Sequence, residues 1–258
     1  MTALDLSPKP GAAPRMAMLR SQISMELRLL SRNGEQLLLT LIIPLVLLIL
    51  GARADKIVDL GPGRPIDIIT PGILALAVLS TSFTSLAIAT GFERRYGVIK
   101  RLGASPLPRW GLLVGKIGAI AIIEVIQLAI LSGVGLLLGW EPHGGLLAVA
   151  QALLLVVLGT AAFGSLGLLI AGIMRAEATL AVANLVYVLL LVGGGLIVPL
   201  SRYPEAASHA LQVLPSGALG QGLRDVFAGQ GPGAFSVVVL IMWAVCCGLG
   251  VSRTFKWE

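Results

Sequence analysis

The run TPGILALAVLSTSFTSLAIATG, residues Thr70–Gly91, is followed without a break by FERRYGVIKRLGASPLPRW, residues Phe92–Trp110, and the contrast between the two decides the fold. The first run holds no Asp, Glu, Lys, Arg or His. A bilayer core of about 30 Å takes roughly 20 helical residues to cross, so an uncharged run of this length is a candidate transmembrane helix. A β-barrel strand would be about ten residues of alternating apolar and polar side chains, whereas this run is continuous. The second run gathers Arg94, Arg95, Lys100, Arg101 and Arg109, the composition of a loop held on the cytoplasmic side.

The whole chain repeats the first pattern. Of its 258 residues 56% are hydrophobic and 12% charged, against about 25% charged in a typical soluble domain. With a mean hydropathy of +0.93, this excludes a disordered chain and a nucleic-acid binder, and it argues against a water-soluble domain. Further uncharged or nearly uncharged runs predict an all-α integral membrane protein with six transmembrane helices, at about 36–51, 70–91, 111–139, 145–173, 178–200 and 234–251. The expected organisation is residues 1–35 as a cytoplasmic tail and interfacial helix, then residues 36–258 as the permeation domain. The adjacent Cys246 and Cys247 point about 100° apart on a helix and read as small buried side chains, not a disulfide or a metal pair.

Basic residues set the orientation. With the N-terminus inside, only Arg53, Lys56, Arg64, Arg202 and Arg224 of the 19 basic residues fall outside. That asymmetry obeys the positive-inside rule and puts both termini in the cytoplasm. The first apolar run starts too late for a cleavable signal peptide, and no small-residue cleavage site follows it. Thr2–Pro14 reads as a flexible tail. From Met16 to Arg32, Met16, Leu19, Ile23, Leu27 and Leu30 recur at helical spacing, with Arg20, Ser24, Arg28 and Ser31 off that stripe. This predicts an amphipathic helix on the inner leaflet.

Within the basic loop, Glu93–Leu102 is expected to form one short cytosolic helix, stopped by Gly103 and Pro106. By composition alone it fits a plain inside anchor as well as a docking helix. Its residues carry a resemblance: Glu93-Arg94-Arg95-x-Gly97-Val98-Ile99-Lys100-Arg101-Leu102, then Ser105-Pro106 and Gly115-Lys116, resemble the signature of type-2 ATP-binding-cassette (ABC) permeases. One departure is that an acidic residue the family places near Lys100 is basic here, which leaves the partner's charge pattern open. After the fifth span, Gly193-Gly194-Gly195-Leu196-Ile197-Val198-Pro199-Leu200, Tyr203-Pro204, Leu214-Pro215-Ser216-Gly217 and Leu223-Arg224 look like the family's second pattern. The segment between spans five and six is too apolar for a solvated loop and too broken by proline and glycine to span, so re-entrant or interfacial helices fit it.

The resemblance implies a coupling helix (Glu93, Arg94, Arg95, Gly97, Lys100, Arg101, Leu102) seated on an ATPase, and an extracellular lid marked by Pro199, Pro204, Pro215 and Arg224. It implies two separate ATPase subunits that hold ATP and magnesium, and a second six-span permease in a homo- or heterodimer. Such a permease sits in a bacterial-type plasma membrane and exports a drug, a lipid or a lipid-linked glycan. No cofactor, metal or catalytic residue is expected in this chain, which has no phosphate-binding loop; Gly111–Lys116 has the wrong spacing for one.

Inside the spans, Glu124 and Gln127 share one helix face, as do Asn184 and Tyr187. An intramembrane acid is expensive and normally faces protein or water. These four residues are candidates for the translocation pathway or an interface, and equally for polar glue between helices. Glu124 also leaves open a polytopic membrane enzyme or a proton-coupled carrier.

Overall fold

In lipid every backbone N–H and C=O must be satisfied within the protein, and long uncharged runs meet that demand as helices. The computed structural model describes residues 13–32, 34–53, 63–103 and 109–254, and these contain no strand. The helices are α1 (Arg15–Arg32), α2 (Gly34–Gly51), α3 (Pro65–Val78), α4 (Leu86–Arg95), α5 (Val98–Gly103), α6 (Arg109–Leu137), α7 (Gly145–Ile173), α8 (Ala176–Gly193), α9 (Glu205–Leu211), α10 (Pro215–Phe227) and α11 (Ala234–Thr254). Most of the tail expected over Thr2–Pro14, the Ser105-Pro106 step and Lys256 lie outside the described residues.

Five helical stretches are long and apolar enough to cross a membrane: Pro65–Arg95, Gly111–Leu137, Gly145–Ile173, Ala176–Gly193 and Ala234–Thr254. Thr40–Gly51 is a shorter apolar helix within α2. Pro65–Arg95 is the hub, with 78% of its apolar window enclosed against 22% for Ala176–Gly193. It packs on α2, α6, α7, α8 and α10, while α11 runs along α7 and α1 lies against α6. The outward faces of α6, α8 and α11 carry Ile122, Ile126, Leu185, Leu189, Val238 and Val245. Such a surface belongs in lipid or against another subunit, and the chain is a multi-pass membrane protein.

Two spans and the basic loop differ most from the sequence reading. The hub begins at Pro65 instead of Thr70 and runs on to Arg95 through a π-helical segment, Leu79–Ser85, between α3 and α4. There Ser80 donates to the Ala77 carbonyl at 3.0 Å, Ser82 to Val78 at 2.5 Å and Ser85 to Ser80 at 3.2 Å. These hydroxyls compete with the amides for carbonyls, and π insertions inside helices concentrate at functional sites. The fifth span ends at Gly193, not Leu200, where Gly194 and Gly195 (φ +59°) turn the chain.

The third correction is in the basic loop. Glu93–Leu102 is not one helix. Glu93, Arg94 and Arg95 complete α4, and the chain then breaks at Gly97, whose φ of +67° suits a residue without Cβ. Tyr96 N–H donates to Phe92 O and Gly97 N–H to Arg94 O, a left-handed helix stop, before α5 begins at Val98.

Candidate functional site

Where the hub reaches the basic loop, three helices meet on one lysine. Lys116 lies near the start of the apolar run of α6, and its ammonium stands 3.0 Å from Glu26 of α1 and 2.5 Å from Glu93 of α4. The three side chains are only 6%, 7% and 17% exposed. Gln22 donates to Glu26 at 2.9 Å. Close approach of α1 depends on Gly115, where a Cβ would stand 2.3 Å from the side chain of Gln22. The stripe of α1 that packs inward is therefore centred on Gln22 and Glu26, while Met16, assigned to that stripe, is exposed. Glu26 did not stand out in the sequence, and Lys116 was noted only as part of the family signature with no role assigned. The available signal was an acid between Ile23 and Leu30 on an otherwise apolar helix face.

The next two residues tie the same helix end to the opposite side of the bundle. Arg94 donates to the carbonyls of Ala171 and, at 3.2 Å, Met174, at the C-terminal end of α7. A guanidinium there satisfies terminal carbonyls and complements the helix dipole. Arg95 pairs with Glu177 in the first turn of α8 and stacks its guanidinium over Tyr96, 6.0 Å from the ring centre. So Glu93, Arg94 and Arg95 face three different helices. What is left exposed is Tyr96, Lys100 and Arg101, with Ile99 buried beneath them and Leu102 half-buried.

Midway along the hub lies a second polar cluster. The π segment brings Thr81 to Gln127, to which it donates at 2.7 Å, and Gln127 donates in turn to the Thr40 carbonyl of α2 at 2.6 Å. Glu124 is 2% exposed and accepts from Thr160 of α7 at 2.6 Å. Its second oxygen, Oε1, is buried without a partner among the described residues. The structure thus brings Glu124 and Gln127 to the same segment with different partners. Asn184 and Tyr187 stand apart on α8, with Asn184 exposed among Leu180, Leu185 and Val188 and Tyr187 half-buried.

Beyond α8 the four residues expected to mark a lid take distinct places. Pro199 is buried ahead of a short 3-10 turn, Leu200–Arg202; Pro204 precedes α9 and Pro215 opens α10, positions where a missing N–H costs nothing. Tyr203 hydroxyl donates to the Val192 carbonyl at 2.8 Å, and Trp243 of α11 donates to that of Val213 at 2.9 Å. Arg224 of α10 reaches Gly195 and Leu196 carbonyls with Nη2, both at 2.8 Å, and Ile68 with Nε at 3.2 Å. Burial pulls its guanidinium down to about 10, which still leaves it cationic at neutral pH. The side chain pins three elements together: the start of the hub, the turn after α8, and α10.

A family model described as ABC-2 type transporter matches residues 18–228, from α1 to just past α10. A Bacillus subtilis (strain 168) protein bearing the name transport permease YvfS is 25% identical over 175 residues, covering 65% of this chain and 68% of that protein. Every candidate residue above lies within the stretch matched by the family model.

Proposed function

The chain belongs to the ABC-2 type transporter family and is a transport permease subunit; from that premise we propose that it is the membrane half of an ATP-driven exporter of an amphiphile, worked by ATPase subunits made as separate chains. The amphiphile is a drug, a lipid or a lipid-linked glycan, since the spans offer an apolar path with few fixed charges. In this reading α2 is the first of six spans, residues 1–35 are the tail and interfacial helix, and residues 36–258 are the permease domain. The asymmetry of basic residues supports both termini in the cytoplasm, and the bacterial-type inner membrane goes with the family reading.

One observation carries the mechanism. The exposed patch of Tyr96, Lys100 and Arg101 sits on a segment whose inward side is tied to α1, α6, α7 and α8. Two ATPases, holding ATP and magnesium, would seat on this patch in each half of a homo- or heterodimer. When they close, a push on α5 would pass through Glu93 to the α1–α6 pair and through Arg94 and Arg95 to the α7–α8 turn. Substrate would leave between the two permeases, past a re-entrant α10 and the lid pinned by Arg224. In this reading Asn184, an exposed amide on α8, faces that pathway or the second permease.

Lys100→Glu with Arg101→Glu is the test. Both side chains are exposed, so the variant should fold and insert normally. This reading requires the partner surface to be acidic where it meets Lys100 and Arg101; against it, reversing both charges costs several kcal/mol, so the ATPase recovered with the tagged permease should fall more than tenfold. Undiminished recovery refutes the docking assignment. A proton-coupled carrier is the second reading, favoured by the unpartnered Glu124 oxygen. It predicts that Glu124→Gln abolishes transport while depletion of ATP does not. The permease reading expects the reverse order of sensitivity in the same vesicles.

A further inference from the structure

A groove between α1, α2 and α6 combines polar and apolar side chains. It is lined by Ser24, Arg28 and Ser31 of α1, by Thr40 of α2, and by Gln127 and an apolar wall of Ile122, Ile126 and Ile130 on α6. At 1.5 Å per residue the three isoleucines extend about 12 Å along the helix. The groove encloses about 510 Å³, within the roughly 300–1,000 Å³ of small-molecule sites. We infer that this groove holds one anionic phospholipid of the cytoplasmic leaflet, with its phosphate on Arg28 and one acyl chain along the isoleucine wall; the choice of leaflet rests on the orientation proposed above.

Charge and polarity select this occupant. Arg28 is exposed, and no carboxylate among the described residues pairs with it. The guanidinium of Arg28 matches phosphate, which accepts paired N–H donors, and the Ser24 hydroxyl lines the same groove, while the Ser31 hydroxyl donates to the Arg28 carbonyl. Anionic lipid is already concentrated at a cytoplasmic surface rich in arginine and lysine. The α6 wall of the groove offers the chain branched apolar side chains, with Ile126 and Ile122 substantially exposed unless something covers them. Lipid there would wedge α1 against α2 and α6, next to the helix face that delivers Glu26 to Lys116.

The test is native mass spectrometry of the full chain in mild detergent, titrated with phosphatidylglycerol or with phosphatidylcholine of the same acyl chains. One phosphatidylglycerol per chain should be retained at about a fivefold lower concentration than phosphatidylcholine, the preference expected from one arginine near a membrane surface. Arg28→Ala should erase that preference, whereas Arg20→Ala, also exposed on α1, should keep it. Ile126→Trp and Ile130→Trp, which fill the wall, should lower retention of both lipids. The inference is overturned if the two lipids are retained equally, if Arg28→Ala and the tryptophan variants behave as the parent, or if Ile126→Cys cross-links one chain to a second copy. None of these readouts needs ATP or an ATPase, so failure here leaves the permease reading standing, and the reverse also holds.

Discussion

Replacing Lys116 with methionine should lower the unfolding temperature of the detergent-purified protein by about 10 °C and release α1 from the bundle. The side chain is 6% exposed and is the shared partner of Glu26 and Glu93. Methionine keeps much of the length and apolar stem but leaves two carboxylates facing each other with no cation between them. Breaking a buried pair by removing one partner costs about 3–5 kcal/mol, most of it the cost of the uncompensated charge left behind. For a domain of this size each kcal/mol moves the midpoint by about 2–4 °C, which gives the stated shift. The physical cause is checked by rescue. Adding Glu26→Gln and Glu93→Gln to Lys116→Met removes the stranded charges and should restore most of the midpoint, although an ordinary loss of packing at Lys116 would not be restored. Protease access to α1 supplies the second readout. A Lys116→Met protein that melts with the parent would show that the three charges do not hold α1 in place.

Such a result could not be anticipated from the sequence, and the reason is physical. Spans were legible because crossing a bilayer imposes a length and an absence of charge, both properties of one segment alone. Four of the stretches that qualify as spans lie within a few residues of their expected bounds at both ends. The fifth, Ala176–Gly193, ran long in the reading because Leu196, Ile197 and Val198 keep hydropathy high after the glycines have already turned the chain. Glu26 and Lys116 lie 90 residues apart, so their pairing is a property of tertiary structure. Counted singly, each is only a charge near the inner surface. Glu93 and Arg94 were singled out for docking by resemblance to the family, yet their side chains turn inward to Lys116 and to the end of α7. The hydroxyl-rich Leu79–Ser85 was visible as polar residues in mid-span, but polarity does not specify a π register. Glu124 and Gln127 were legible as a polar pair, while their partners Thr160, Thr81 and Thr40 belong to three other segments.

Replacing Arg224 with methionine should open the lid proposed for the outer side, and lysine should not substitute. Arg224 satisfies carbonyls of Ile68, Gly195 and Leu196 from one planar group. Each buried carbonyl left unsatisfied costs about 1–3 kcal/mol, partly offset because a buried cation also disappears. The net loss, on the order of 2–4 kcal/mol, falls on the contact between the turn after α8 and the start of the hub, because α10 keeps its apolar packing through Leu219, Leu223 and Val226. Opening should therefore be local. Leu196 is fully buried, which makes a cysteine at that position a reporter of the lid. Its labelling by a membrane-impermeant maleimide should rise more than tenfold in the Arg224→Met background, the change that about 2 kcal/mol of local opening produces. The ammonium of lysine is a compact point charge, whereas Arg224 uses Nε and Nη2 in a fixed fork toward two separate elements, so Arg224→Lys should label nearly as fast as the methionine variant. If labelling stays at the parent rate in both, the lid is held by α10 packing alone and Arg224 has no part in closing it. If labelling rises with methionine but not with lysine, charge and not the fork geometry closes the lid, and the pathway is gated electrostatically at its outer end.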